Sequence, residues 1–249
     1  MNTPPKISVI TVVFNDALHI AKTIESVLNQ SYSHIEYIIV DGKSTDGTLK
    51  VIAAYQGIHK VISEPDRGLY DAMNKGMKEA TGEYVWFLNS GDQIYAPDTM
   101  ERMMEGLEER PDIIYGGTLI IDEAQNEIGD RRLKPPDQLT WKSFRKGMLV
   151  CHQSIIVKRA LAPDYNLDYR LSADIDWSIR AAKNSGQIRN SGLVLSRFME
   201  GGLTDQNIKA GLKERFRIMT QYYGLIPTIL RHILFGIRLS RFYVKHRRI

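Results

Sequence analysis

Four short runs rich in β-branched residues, each closed by polar turn residues, constrain the fold of this 249-residue chain more than any other feature. They are KISVITVVF (6–14), IEYIIV (35–40), KVISE (60–64) and EYVWFLN (83–89). Each is too short for a stable helix and has the composition of a buried strand. After the first, Asn15 and Asp16 lead into LHIAKTIESVL, which puts Leu18, Ala21, Ile24, Val27 and Leu28 on one helical face. After the second, DGKSTDGTLKVIAAY supplies turn and cap residues before another helix. After the third, GLYDAMNKGMKEA puts Leu69, Ala72, Met73, Gly76 and Met77 on a common face. Strands that alternate with helices predict an α/β chain whose mostly parallel sheet is flanked by helices.

Open sheets of this kind bind ligands beyond the carboxyl ends of their strands. The residues expected there are Asn15 and Asp16, then Asp41, then Glu64 and Asp66, then Asn89 and Asp92. Acidic groups gathered on one edge repel one another unless a cation or hydrogen-bond donors join them, so the set suits a divalent metal with a nucleoside. Any single aspartate at such a turn is equally a helix cap, the reading given to Asp46 in STDGT and Asp98 in APDTM. The sequence has neither G-x-x-x-x-G-K-[ST] nor, behind the first strand, G-x-G-x-x-G, which argues against P-loop and dinucleotide-binding enzymes.

The chain is 43% hydrophobic, enough for one large core. Its one cysteine, Cys151, has no partner for an internal disulfide, and MNTPPKISVI lacks the basic and apolar regions of a signal peptide, so a cytoplasmic location is expected. The net charge of +4 hides an asymmetry: from Lys209 onward ten Lys/Arg face Glu214 alone, a net +9, leaving 23 Lys/Arg against 28 Asp/Glu, a net −5. A basic tail on an acidic body points to an anionic surface, either nucleic acid or lipid headgroups.

The stretches ISVITVVFND, SVLNQSY, EYIIVDGKSTDGT and EPDRGLYDAMNKGMKEATGEYVWFLNSGD together resemble the nucleotide-sugar-binding half of the inverting glycosyltransferases of family 2, with the Rossmann-like GT-A fold. The match is continuous over residues 6–95, and its wording is closest to bacterial polysaccharide-assembly enzymes of the colanic acid type. The resemblance implies that Thr11, Val13 and Asn15 lie near the nucleoside, that Asp41 accepts a hydrogen bond from the base, and that Ser44 and Asp46 share its loop. It brings Arg67 and Asn74 to the diphosphate or donor sugar; for Arg67 an ion pair with Asp66 or Asp71 is the alternative. In such enzymes the fourth strand ends in a D-x-D-type signature. Here Asn89, Ser90, Gly91 and Asp92 stand in that place, so Asp92 is the implied ligand of Mg2+ or Mn2+, with fewer acids than the family pattern.

In the second half, DYRLSADIDWSIRAAKNSG places Asp174 and Asp176 in the first turn of a helix that Ser172 would cap. The resemblance makes Asp174 the catalytic base, with Asp176 as substitute; complementing the helix dipole is the other reading of both. VCHQSIIVK (150–158) reads as a strand carrying His152 and Gln153, candidates for the acceptor or the phosphates, though a lone histidine in a strand is more often structural. RFMEGGLTDQN is either a lid over the donor or a plain turn, and the Q-x-x-R-W of processive synthases is absent, so one sugar per acceptor is expected.

The tail LIPTILRHILFGIRLSRFYVKHRR carries too many charges to span a bilayer. On a helical wheel Arg231, Arg238, Arg241, Lys245 and Arg248 cluster apart from Ile226, Ile229, Ile233, Ile237 and Val244. That pattern suits a helix lying on an anionic membrane, or one packed on the domain or in a dimer. The expected organisation is a GT-A domain over 1–208, with a nucleotide-sugar half (1–95) and an acceptor half (96–208), followed by a basic amphipathic helical tail over 209–249. The expected activity is metal-dependent transfer, with inversion, of one sugar from a nucleotide diphosphate sugar, UDP foremost, to a lipid-linked bacterial glycan at the inner face of the membrane. The alternatives are a sugar-nucleotide pyrophosphorylase, whose Gly-rich basic loop is missing from TVVFNDAL, a nucleic-acid binder, which the acidic body disfavours, and a non-catalytic assembly subunit.

Overall fold

The computed structural model describes residues 3–105, 109–201 and 207–234. Its strands are β1 (Ile7–Val13), β2 (Ile35–Asp41), β3 (Lys60–Ser63), β4 (Tyr84–Phe87), β5 (Gln93–Ile94), β6 (Ile113–Ile121), β7 (Glu127–Asp130), β8 (Ile155–Lys158) and β9 (Ile188–Met199). The helices are α1 (Ile20–Leu28), α2 (Thr48–Ile52), α3 (Leu69–Glu79), α4 (Thr99–Met104), α5 (Ala173–Asn184) and α6 (Ile208–Tyr223), after which a further helical stretch covers 225–234. The strands form one sheet in the order β3-β2-β1-β4-β8-β6-β9-β5, with β7 added to β6.

β1 is buried along its whole length, as a strand covered on both faces must be. Its side chains alternate between two cores. Ile10 and Val12 face α3 and α5, while Ile7, Val9 and Val13 face α1 and α4. β1 runs parallel to β2 and β4, and β2 parallel to β3, in a register that places Val13 beside Asp41 and Asp41 beside Ser63. Three strand ends thus share one edge, as the alternation of strands and helices requires. Helix α3 lies unusually close to that half of the sheet: a Cβ on Gly76 would sit 2.4 Å from Ile10 Cγ2.

Beyond β4 the parallel pattern stops. β8 is antiparallel to both β4 and β6, and β9 is parallel to β6. Two local expectations are corrected. Leu18 is exposed ahead of α1, whose buried face is Ile20, Thr23, Ile24 and Val27. His152 and Gln153 lie in a 3-10 turn (His152–Ser154) that precedes β8, not in the strand. Of the tail, Ile237, Arg238, Arg241, Val244, Lys245 and Arg248 lie outside the described residues, as does 202–206 of the glycine-rich loop.

Candidate active site

The loops leaving β1 and β2 are tied together at the carboxyl edge. The Asn15 amide donates to Ser44 Oγ (2.8 Å), and the Thr45 amide donates to Asn15 Oδ1 (2.8 Å). Asp46 accepts from the amides of Ala17 (3.0 Å) and Thr48 (3.0 Å), so it ties the β1 loop to the start of α2, whose cap position is held by Gly47 and not, as expected, by Asp46. Asp98 makes no such cap bond and lies 3.7 Å from Arg102 instead. Asp41, fully buried, accepts from the Ser44 amide (3.1 Å) and from Ser63 Oγ (2.6 Å). Thr11 and Val13 are buried beneath this rim, the Thr11 hydroxyl bonded to Tyr37 Oη at 3.1 Å. The residue between them and Asn15 is different: Phe14 is 63% exposed, an aromatic ring open to solvent at the end of β1.

The loop 89–92 is held from three sides. The Ser90 amide donates to Val12 O (3.1 Å), and Ser90 Oγ donates to Asp16 Oδ2 (2.7 Å), whose other oxygen is 2.6 Å from His19 Nδ1. The Gly91 amide donates to Thr23 Oγ1 at 2.9 Å, with φ +92, a conformation that favours glycine. Asp92 is 3% exposed and accepts from Gln153 Nε2 (2.8 Å) and from the Met199 amide (3.0 Å). Burial pushes its carboxyl up to about 7 against the pull of these donors. Asn89 Oδ1 is buried with no hydrogen-bond partner among the described residues.

A carboxylate placed this way ties β9 to the turn before β8. No group of three His, Cys, Asp or Glu able to hold a metal occurs among the described residues. As folded, then, Asp92 does not fit a resident ion: both its oxygens are engaged and almost no surface reaches solvent.

Arg67, just ahead of α3, and Asn74, within it, diverge. Arg67 pairs with Asp71, backbone amide to Oδ2 (3.0 Å) and Nη2 to Oδ1 (3.0 Å), and its exposed guanidinium remains open to another anion. Asn74 is buried, and both ends of its amide are spent on the backbone of Tyr165: Nδ2 donates to the carbonyl (3.0 Å) and Oδ1 accepts from the amide (2.7 Å).

Asp174 sits half-buried in the first turn of α5, where Tyr70 Oη, from the first turn of α3, donates to Oδ1 at 3.3 Å. Desolvation raises its carboxyl above the ordinary range, opposed by the Arg215 cation, by the Ile175 amide and by Tyr70. Asp176 points elsewhere: it accepts from Arg180 Nε (2.8 Å) and Tyr222 Oη (2.7 Å), joining α5 to the end of α6. Ser172 makes no side-chain cap; its hydroxyl donates to Gly211 O at 3.4 Å. His152 is buried among Phe87 (5.6 Å), Trp177 (5.3 Å) and Tyr165, whose hydroxyl bonds its Nε2. Burial lowers it to about 3, so it is neutral and structural in character. Gln153 is bound to Asp92 and accepts from Cys151 Sγ at 3.0 Å.

The structure therefore gathers Asn15, Asp41, Ser44, Ser90 and Gly91 on one rim and joins Asp174 to Tyr70, in the first turn of the helix that follows β3. It turns Asn74, Asp176 and His152 inward. Phe14 and Tyr70 were missed from sequence. The sign for Tyr70 was its spacing of three and seven from Met73 and Met77, which puts it on the buried face of α3.

Glycosyl transferase family 2 is the family whose sequence profile matches the chain, over residues 8–162. A PGL/p-HBAD biosynthesis glycosyltransferase of Mycobacterium tuberculosis is 32% identical over 228 residues, covering 87% of this chain and 86% of that protein. The putative teichuronic acid biosynthesis glycosyltransferase TuaG of Bacillus subtilis is 33% identical over 163 residues, 64% of each chain. The solved structure of S. aureus TarS 1-349 in complex with UDP-GlcNAc superposes with a TM-score of 0.72 at 19% identity, over 92% of this chain and 73% of that one, a likeness of fold.

Proposed function

The chain belongs to glycosyl transferase family 2 and has the GT-A fold, and from that premise we propose that it transfers one sugar, with inversion, from a nucleotide diphosphate sugar to a glycan acceptor carried on a lipid. One observation carries the reading. Tyr70 Oη, from the start of the helix that follows β3, meets Asp174 Oδ1 at 3.3 Å, which supports a carboxylate of raised basicity acting near the ends of the parallel strands.

On this reading Asn15 receives the base and Asp41, fully buried as folded, turns a carboxylate oxygen out to meet it, with UDP the leading candidate, and the exposed ring of Phe14 offers it a stacking surface. Ser44 lines the same loop, Ser90 and Gly91 let the backbone approach the diphosphate, and Arg67 exchanges part of its pairing with Asp71 for phosphate oxygens. Asp174 takes the proton of the acceptor hydroxyl as that oxygen attacks the anomeric carbon from the side opposite the departing nucleotide. A carboxyl above its ordinary range is the better base near neutral pH. Mg2+ or Mn2+ enters the proposal only as an ion delivered on the donor diphosphate, because the described residues offer it no open cage. The name of one relative, a putative teichuronic acid biosynthesis glycosyltransferase, supports a glycan polymer as acceptor.

Calorimetric titration of UDP, GDP and their sugars, with and without Mg2+ or Mn2+, tests the donor half. Binding of one nucleotide supports the site at Asp41; binding of none removes it. Asp174→Asn tests the chemistry: donor affinity is expected to persist while transfer is lost, and wild-type turnover in that variant would end Asp174's candidacy.

A further inference from the structure

The helical stretch 225–234 touches the rest of the protein along one narrow line. Thr228 is buried, with its hydroxyl bonded to Gly224 O (2.7 Å), and one turn later the His232 ring lies against Phe216 at 5.1 Å. The stretch therefore doubles back along α6. Apart from Arg231, the other large side chains on it are aliphatic and exposed: Leu225, Ile226, Ile229, Leu230, Ile233 and Leu234. Ile226 is 71% exposed, and Leu212 and Ile208 extend the apolar surface onto α6. Single exposed aliphatics are ordinary, but a contiguous set in ten residues is the mark of a surface that is covered in use.

Charge decides what covers it. After Glu214 the sequence contains no acidic residue, and Arg231, Arg238, Arg241, Lys245, Arg247 and Arg248 follow or lie within the stretch. The Glu214 carboxylate is itself engaged, accepting from the amides of Arg170 and Leu171 (2.9 Å each). Pairing two copies through this face would bring two segments of net +9 together, whereas an anionic bilayer offers hydrocarbon for the aliphatic face and headgroups for the cations. No described helix is long and apolar enough to cross a membrane. We propose that the exposed aliphatic face of residues 225–234 seats in the interface of an anionic phospholipid bilayer and so turns the α5–α6 side of the protein toward the lipid. Glu214 and Gly211 of α6 hold the segment 170–172 that leads into α5. The docked face therefore adjoins the start of the helix carrying Asp174, an orientation that matters for transfer only if the proposed function holds; the docking itself does not depend on it.

The test is co-sedimentation of the full chain with phosphatidylglycerol–phosphatidylcholine vesicles, without nucleotide sugar or metal. The wild type is expected to bind these vesicles and to bind pure phosphatidylcholine vesicles far less. Ile226→Ser, Ile229→Ser and Ile233→Ser together should cut the partition coefficient roughly a hundredfold while keeping the melting midpoint, since each side chain removed is one the bilayer would bury. If the triple variant does not fold, Ile226→Ser alone should still give roughly a tenfold drop. Unchanged partitioning of the variant, or no binding by the wild type, would overturn the proposal. So would light scattering that shows a wild-type dimer broken by the same substitutions, because the face would then belong to a second copy. Asp174→Asn should bind vesicles like wild type, which separates failure of docking from failure of the transfer reading.

Discussion

Asn74→Ala offers a quantitative test of what α3 does. The Asn74 amide is the hydrogen-bond partner of both the carbonyl and the amide of Tyr165, at 3.0 and 2.7 Å, in a buried setting. Alanine leaves both backbone groups without that partner, at about 1–3 kcal/mol each. The better helix propensity of alanine returns about 0.5 kcal/mol. The net loss is therefore about 2–5 kcal/mol, and at about 2–4 °C per kcal/mol for a chain of this size the melting midpoint should fall by roughly 5–15 °C. Urea unfolding gives the free energy, with Asn74→Asp as a second variant that keeps the acceptor for the Tyr165 amide but turns an acceptor toward its carbonyl, and so should be at least as damaging. Donor affinity measured well below the midpoint should stay within a few-fold. A variant as stable as wild type that has lost its donor affinity would refute this reasoning and return Asn74 to the diphosphate.

Three further outcomes are expected. Tyr70→Phe removes one of the groups that favour ionised Asp174, so the acidic limb of kcat/KM should move to higher pH with rate recovered at high pH, whereas a uniform loss across pH would mark Tyr70 as packing only. In metal-free buffer the folded state holds a proton on Asp92 between its ordinary 3.8 and about 7 that the unfolded chain releases. Unfolding free energy should then be greatest below the lower value and decline as pH rises to the upper, by on the order of 4 kcal/mol at most, a slope that Asp92→Asn should flatten. Asp176→Ala strips the partners of Arg180 and Tyr222, so it should lower the unfolding midpoint with turnover per folded molecule retained, and full stability with lost turnover would make it the base instead.

The parallel half of the sheet was legible because its information is local: period, strand composition and turn residues lie within a few positions of one another. The same is true of Arg67 with Asp71, four residues apart. What escaped depends on distant partners. Asn74 was assigned to the donor because nothing nearby reveals Tyr165, 91 positions on, and Asp176 is decided by Tyr222, 46 positions on. His152 and Gln153 read as strand residues because apolar residues flank them on both sides, Val150 and Cys151 before and Ile155 to Val157 after, yet the antiparallel pairing of β8 with β4 begins only after the turn that buries them. Phe14 was folded into an apolar run whose other members are interior, and exposure at its last position has no signature in composition.

The departures of residues 89–92 from an acid-rich loop are locked in by their surroundings. A Cβ on Gly91 would be strained by its φ of +92 and would push aside the movable end of Met199, 2.4 Å away at Cε, while Asn89 presents a buried oxygen that no donor among the described residues meets. An acid at position 91 therefore meets a backbone cost before any gain in metal binding. Relatives that carry an acid at the place of Gly91 should differ in the backbone of this loop, and the single Gly91→Asp change here should lower the melting midpoint without tightening metal binding.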